Sequence, residues 1–300
     1  MTLASLVSRH IRAVRASLPG ALRGDAGEVH KVRVSSRRLR ELLPVVAGRS
    51  PGRRVKKLRR FARTLTRTLG PVREMDVAIE QLAFLEAREH LRGIAAVRRA
   101  IAAERGRRRR AMLERMGGGE AARKLDRLAS SKMLGGVEDL RRDAPALVAA
   151  WLLARAARLE EAIEAAGSLY EVERLHEARI AVKKLRYSLE LVQELRLGRV
   201  APDLRRLKGA QNLLGSLHDL EVLAGHARSL DSKAPPGPGR RVLVGVLEEE
   251  LRHHHARFLR GRDALSGVIA RVRQRGGELA GLETAGSPVM IGGPARAHSR

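Results

Sequence analysis

Apolar residues recur every three or four positions along most of the chain, in segments bounded by proline and glycine. This spacing is typical of amphipathic helices, and no segment alternates apolar and polar residues as a half-buried strand does. Prolines such as Pro19 fall between these segments or in their first turn, where a missing N–H costs little. The pattern predicts an all-α protein with helices near residues 2–18, 27–47, 52–69, 72–116, 120–133, 143–166, 171–196, 202–215, 217–231 and 240–275.

Two motifs each occur twice, in the same order and at nearly the same separation. The pattern H-x-x-R-x-x-x-[RK]-[RK]-L-R begins at His30 and again at His176. The pattern L-G-x-x-[RH]-[DE]-x-[DE]-V begins at Leu69 and again at Leu214. Such a doubled pair indicates an internal duplication. We therefore expect one helical bundle over residues 1–134 and a second over 135–275, related by a pseudo-twofold axis.

Glycine, proline and serine mark the segments outside these bundles. Residues 135–136 and 234–239 are predicted to be loops because glycine and proline interrupt helices there. Residues 276–300 have the composition of a disordered tail.

The charge balance is strongly basic, with 60 Lys and Arg against 33 Asp and Glu and a formal net charge of +27. A GC-rich genome can favour arginine over lysine, but it explains poorly why bases outnumber acids so heavily. The excess therefore predicts an acidic partner, which could be nucleic acid, an anionic membrane surface or another polyphosphate.

The chain has no cysteine, which excludes disulfides, thiolate metal sites and cysteine nucleophiles. No apolar run approaches the length of about 18 residues expected of a transmembrane helix. The N-terminal segment also lacks the continuous apolar stretch of a signal peptide. These features predict a cytoplasmic protein without a transmembrane segment.

On a helical wheel, the first motif separates into an apolar face and a basic face within roughly a quarter of a turn. Arg38 and Lys184 fall elsewhere on the wheel. The basic stripes consist of His30, Arg33, Arg37 and Arg40 in the first repeat and of His176, Arg179, Lys183 and Arg186 in the second.

A stripe of like charges repels itself. One interpretation is a solvated face, or pairing with acids of the second motif, which are Glu74, Asp76, Asp219 and Glu221. Because these acids are outnumbered, we favour a groove that binds phosphate groups, for which arginine presents a planar fork of donors.

The second motif predicts a helix start at Gly70 and at Gly215, just before Arg73 and His218. Backbone N–H groups and the positive end of the helix dipole would then lie beside a basic side chain. The alternative is a tight turn in which glycine only permits close packing. Further bases between the motifs are Arg60, Arg63, Arg206 and Lys208.

Metal binding and catalysis find little support in the sequence. His30 and His176 are each followed at i+3 by arginine, which cannot ligate a metal, so an imidazole that contacts phosphate or is buried is favoured. Residues 253–255 are three histidines that point to different sides of a helix, and we expect them to form a solvated face. No phosphate loop, dinucleotide fingerprint or H-E-x-x-H motif occurs. We therefore expect no catalytic residue, cofactor or metal.

The doubled motifs resemble those of the CHAD family, the conserved histidine α-helical domain. The resemblance covers roughly residues 1–275 and implies two up-and-down four-helix bundles with a basic central groove that binds inorganic polyphosphate without catalysis. It departs from the repeat at His218, which stands where the first repeat has Arg73, and in residues 105–110, an arginine-rich segment expected to be peripheral. The expected polyphosphate-binding residues are His30, Arg33, Arg37, Arg38, Arg40, Arg60, Arg63, Arg73, His176, Arg179, Lys183, Lys184, Arg186, Arg206, Lys208 and His218.

Two other classes of protein fit the basic composition, ahead of an enzyme that acts on polyphosphate or nucleotides. A nonspecific nucleic-acid-binding protein is the first, although aromatic residues make up only 2% and none interleaves with a basic stripe. A protein that coats an anionic surface or a polyphosphate granule is the second, with Arg9, Arg12 and Arg15 of the first helix as its contacts. The sequence leaves open the polyphosphate chain length, the oligomeric state and any bridging by divalent cations.

Overall fold

The computed structural model describes residues 2–47, 52–116, 119–128, 144–229 and 238–284, and these residues form eleven α-helices and no strand. The prediction of an all-α protein is confirmed. The helices are α1 (Leu3–Arg23), α2 (Ala26–Ala47), α3 (Arg53–Thr68), α4 (Gly70–Arg88), α5 (Ala95–Met116), α6 (Glu120–Leu128), α7 (Ala144–Ala165), α8 (Val172–Glu194), α9 (Ala201–Ser229), α10 (Pro238–Arg260) and α11 (Arg262–Thr284).

The order of packing is similar in the two halves of the chain. Helix α1 packs on α2 and α2 on α3, as α7 packs on α8 and α8 on α9. Helix α4 packs on α5, and α9 packs on α10. The halves meet where α4 contacts α9 and where the motif helices α2 and α8 contact each other. This second contact positions the two basic stripes relative to one another.

A continuous apolar core fills both halves. Leu39 of the first motif and its equivalent Leu185 of the second are each at most 1% exposed. Leu69 and Leu214, which open the repeated L-G motif, are buried in the same way. Because the apolar face of each motif helix is committed to this core, its basic stripe must lie on the remaining surface. None of the helices in the described ranges is long and apolar enough to cross a membrane.

Several helix boundaries differ from the sequence-based expectations. Helix α1 continues through Pro19 and ends at Gly24, whose φ of 91° is a left-handed conformation that glycine adopts without strain. The segment predicted as one helix over 72–116 is interrupted between α4 and α5, where His90 and Gly93 also adopt positive φ. The segment predicted as one helix over 240–275 is divided at Gly261.

The predicted loops and tail also need correction. Helix α10 begins at Pro238, so the loop expected over 234–239 ends earlier than predicted, and residues 234–237 lie outside the described ranges. Helix α11 runs to Thr284, so residues 276–284 are helical and do not belong to the tail. Residues 285–300, the loop at 135–136 and the boundary between 134 and 135 also lie outside the described residues.

Candidate anion-binding site

The contact between α2 and α8 brings five basic side chains together, and we call them the central cluster. Each belongs to one of the two motif helices, and each is half-buried. The charge of Arg37 acts on all four of the others, so the two stripes converge around this residue. The central cluster consists of Arg33, Arg37 and Arg40 from α2 and of Arg179 and Lys183 from α8.

Burial and mutual repulsion both oppose the positive charges of the central cluster. Burial first, and then the neighbouring charges of Arg37, Arg179, Arg33 and Arg40, lower the pKa of Lys183 from 10.5 to about 7. The pKa of Arg33 falls to about 9, mainly through burial and then through Arg37 and Arg73. The pKa values of Arg40 and Arg179 are also lowered, first by burial. An anion in this place would relieve both costs.

Three further arginines extend the basic surface from the central cluster. The charges of Arg63 and Arg59 on α3 act on Arg40. The sequence analysis chose Arg60 and missed Arg59, although Arg59 and Arg63 are spaced i, i+4 and therefore share one helix face. The charge of Arg73 on α4 acts on Arg33. Arg73 is held by Glu80, whose two carboxylate oxygens accept from its guanidinium at 3.0 and 3.3 Å.

The motif histidines lie at the edge of the cluster. His30 is close to Arg73, Arg33 and Arg37, and burial followed by these charges lowers its pKa. The rings of His176 and His218 are 5.2 Å apart. Burial and the charge of Arg179 lower the pKa of His218 to about 4, and the same two effects lower the pKa of His176. All three imidazoles are therefore neutral at neutral pH and can donate a hydrogen bond without adding charge.

The two glycines of the second motif have different roles. Helix α4 begins at Gly70, and a Cβ atom there would lie 3.0 Å from Nη1 of Arg33. That same Nη1 donates to the carbonyl oxygen of Thr66 at 2.9 Å. The absence of a side chain at Gly70 thus leaves room for the Arg33 guanidinium. Gly215 lies inside α9, which runs without a break, so the predicted helix start at Gly215 is wrong.

Asp76 and Glu74 pair with arginines that the sequence analysis placed at the periphery. The carboxylate of Asp76 is 4% exposed and accepts from Nε of Arg105 at 2.5 Å. The carboxylate of Glu74 accepts from Nη1 of Arg108 at 2.9 Å. The prediction that residues 105–110 are peripheral is therefore wrong, because Arg105 and Arg108 pair with two acids of the second motif.

Of the two remaining acids of the second motif, one lies beside the central cluster and the other binds a tyrosine. The carboxylate of Asp219 lies near Arg179, and burial raises its pKa while the charges of Arg179 and Arg73 oppose that shift. Glu221 accepts a hydrogen bond from the Tyr170 hydroxyl at 2.5 Å. The central cluster therefore keeps an excess of positive charge even with its neighbouring carboxylates counted.

Arg38 and Arg186 have partners outside the central cluster. Both form ion pairs with Glu190, and their guanidinium carbons lie 4.7 and 4.8 Å from the centre of the buried Tyr187 ring. Nε of Arg186 also donates to Gln211 at 2.7 Å. These contacts link α8 to α2 and α9, and they occupy the guanidinium of Arg186 with protein partners.

The other expected ligands are spread over three places. Lys184 is half-buried beside Arg155 and Glu41, where burial and then the charge of Arg155 lower its pKa. Arg206 and Lys208 are exposed on α9, and neither forms an ion pair with a carboxylate in the described part of the chain. Arg60 lines a separate cavity between α3 and α6.

The structure also describes the three histidines at 253–255, the basic face of α1 and the candidates for metal binding. His255 is 9% exposed and its ring lies edge-on to Tyr170 at 5.1 Å, so the three histidines at 253–255 do not form a solvated face. In α1, the apolar face is buried against α2, and Arg9 and Arg15 pair with Glu194 and Asp126. Among the described residues, no group of three or more acidic or histidine side chains could hold a metal ion.

The chain resembles known proteins in its fold and matches one family model. The fold is similar to that of PptA from Streptomyces chartreusis, with a TM-score of 0.59 and 20% identity over 91% of this chain and 98% of that one. It is also similar to the CHAD domain from the plant Ricinus communis, with a TM-score of 0.60 and 19% identity over 88% of this chain and 92% of that one. Among curated proteins, no sequence matches the chain. The family model of the CHAD domain matches residues 5–228, and the chain therefore belongs to the CHAD domain family.

Proposed function

We propose that this protein binds inorganic polyphosphate at the central cluster and does not act on it catalytically. The observation that carries the proposal is that five half-buried bases lie close together. The pKa values of four of them are lowered, and the charge of the fifth, Arg37, contributes to each of these shifts. Such an arrangement costs folding free energy unless an anion occupies it. Membership of a family linked to polyphosphate-related proteins supports the same conclusion.

A flexible phosphate chain suits this site better than a nucleic acid. Proteins that bind single strands stack bases on exposed aromatic side chains beside a basic groove. Within the described residues, Tyr187 beside the motif stripes is only 9% exposed. Tyr170 lines a pocket with His176, but its hydroxyl donates to Glu221 and its ring packs edge-on against His255. Charge-assisted hydrogen bonds from guanidinium and amine groups require only phosphate oxygens.

We also propose that the site arose by internal duplication, with two up-and-down four-helix bundles related by a pseudo-twofold axis. The bundles would comprise residues 1–134 and 135–275. Support comes from the parallel packing order, in which α1, α2 and α3 correspond to α7, α8 and α9. The single helix α9 then corresponds to α3 and α4 together, because it carries both Arg206 and His218. The central cluster would lie close to the pseudo-twofold axis.

Isothermal titration with long-chain polyphosphate tests the proposed function. Replacing both Arg37 and Lys183 by alanine should weaken binding by at least a few kcal/mol, because each charged hydrogen bond contributes roughly 1.5–3 kcal/mol. The matched control is Arg252→Ala/Arg260→Ala, which removes two exposed charges from α10.

The control lies on α10 rather than in residues 105–110, because Arg105 and Arg108 of that segment pair with the buried Asp76 and with Glu74. Equal losses of affinity in the two double variants would contradict a dedicated site. Binding of duplex DNA of matched charge as tightly as polyphosphate would do the same, and it would favour a nonspecific nucleic-acid-binding protein instead.

A further inference from the structure

Helix α3 is unusually basic, and the part of it that faces away from the central cluster lines a cavity. Eight of its 16 residues are Lys or Arg, and none is acidic. An open cavity of about 490 Å³ lies between α3 and α6. Its cationic lining consists of Arg54, Lys57 and Arg60 from α3 and of Lys124 and Arg127 from α6. This volume falls within the range of about 300–1,000 Å³ that is common for ligand sites.

The charges around this cavity are not compensated by the residues that surround it. Neither acid of α6 lines the cavity, and Asp126 instead pairs with Arg15 of α1 at 2.6 Å. In the described ranges, none of the five lining cations forms an ion pair with a carboxylate. Five like charges that converge without a partner repel one another, so the cavity favours an anion as its occupant.

The position of α3 connects this cavity with the central cluster. Arg59 and Arg63 act on Arg40, which belongs to the central cluster. Arg60 lines the cavity, and it is adjacent to Arg59 and one helical turn before Arg63. Positive side chains therefore follow one another around α3, from the central cluster into the cavity, over a distance of about one turn, or roughly 5 Å along the helix axis.

We propose that the cavity between α3 and α6 is a second anion subsite, and that one polyphosphate chain occupies it and the central cluster together. This inference rests on the proposed function, because it assigns the path of the same ligand beyond the central cluster. A linear polyphosphate can bend around α3, since it has no bases to stack and repeats the same charged unit. Two linked subsites raise affinity for a chain that spans both, because the second contact becomes intramolecular.

Titration calorimetry with two ligands, tripolyphosphate and long-chain polyphosphate, tests this path. The subsite variant is Lys57→Ala/Arg127→Ala, which removes one cation from each wall of the cavity. The central variant is Arg37→Ala/Lys183→Ala, and the matched control is Arg252→Ala/Arg260→Ala. Thermal unfolding of each variant checks that the fold is retained, which we expect because the cavity residues are exposed.

We expect tripolyphosphate to bind the wild-type protein and the control at two sites, and to bind the subsite and central variants at one site each. Long-chain polyphosphate should bind the subsite variant more weakly than the control by roughly tenfold or more. Unchanged stoichiometry for tripolyphosphate in the subsite variant would overturn the proposal. A lost site without a loss of long-chain affinity would also overturn it, because the cavity would then hold a separate ligand. If the central variant binds both ligands as the control does, and the subsite variant does not, the proposed function fails and the cavity alone remains an anion site.

Discussion

Lys183 offers a test of the central cluster that does not depend on any ligand. Its amine carries a proton with a pKa of 10.5 in the unfolded chain and of about 7 in the folded protein. Burial is the main cause, and the charges of Arg37 and Arg179 add to it. We expect Lys183→Met to stabilise the protein, because the methionine keeps much of the apolar stem and removes the buried charge.

The magnitude follows from the shift in pKa. One pKa unit corresponds to about 1.4 kcal/mol, so the change from 10.5 to about 7 opposes folding by up to roughly 5 kcal/mol. Solvent screens a half-buried amine, and we therefore expect a gain of about 2–5 kcal/mol in the variant. Between pH 7 and 10.5 the unfolded wild-type chain binds more protons than the folded one, so wild-type stability rises with pH.

The gain in the variant should accordingly be largest below pH 7 and should disappear as the pH approaches 10.5. Urea unfolding of both proteins at a series of pH values measures it, and the difference between the two removes the contributions of other titrating groups. A gain that does not change with pH, or a wild-type protein that is the more stable below pH 7, would refute the account of the cluster.

Binding of polyphosphate provides a second measurement on the same residue. A bound anion favours the charged amine, so the wild-type protein should take up a proton on binding near pH 8. Calorimetry in buffers with different ionisation enthalpies detects this uptake, which the Lys183→Met variant should lack. The same uptake in wild-type and variant proteins would show that another group is responsible.

Three further predictions follow from other contacts. Arg105→Ala should lower the free energy of unfolding by about 3–5 kcal/mol in urea titrations, because it leaves the buried Asp76 carboxylate without its cation; a change below about 1 kcal/mol would contradict this pairing. Gly70→Ala should weaken polyphosphate binding by displacing Arg33, whereas Gly215→Ala should raise stability by about 0.5–1 kcal/mol, since no described atom lies within 4 Å of the new Cβ. Equal effects of the two alanines on affinity would refute the role of Gly70. Affinity for polyphosphate should fall steeply with salt, and the double variant of the central cluster should show a shallower dependence, because it releases fewer counterions.

The repeated pattern of the sequence was sufficient to predict the helical class and most of the basic residues that lie together between α2 and α8. The spacing of apolar residues fixes which face of α2 and α8 enters the core, as Leu39 and Leu185 show. The basic residues then have only the opposite face available. Five of the eight stripe residues lie close together for this reason, and the two motif histidines lie beside them.

Helix ends and ion pairs depended on tertiary packing. Pro19 and Gly215 are helix breakers by propensity, yet each lies inside a helix whose buried face outweighs the local cost. Which carboxylate neutralises which arginine could not be predicted either, because Asp76 and its partner Arg105 are 29 residues apart in sequence and belong to different helices. Local sequence thus determined the helices and their faces, whereas packing between helices decided which charges remain available for an anion.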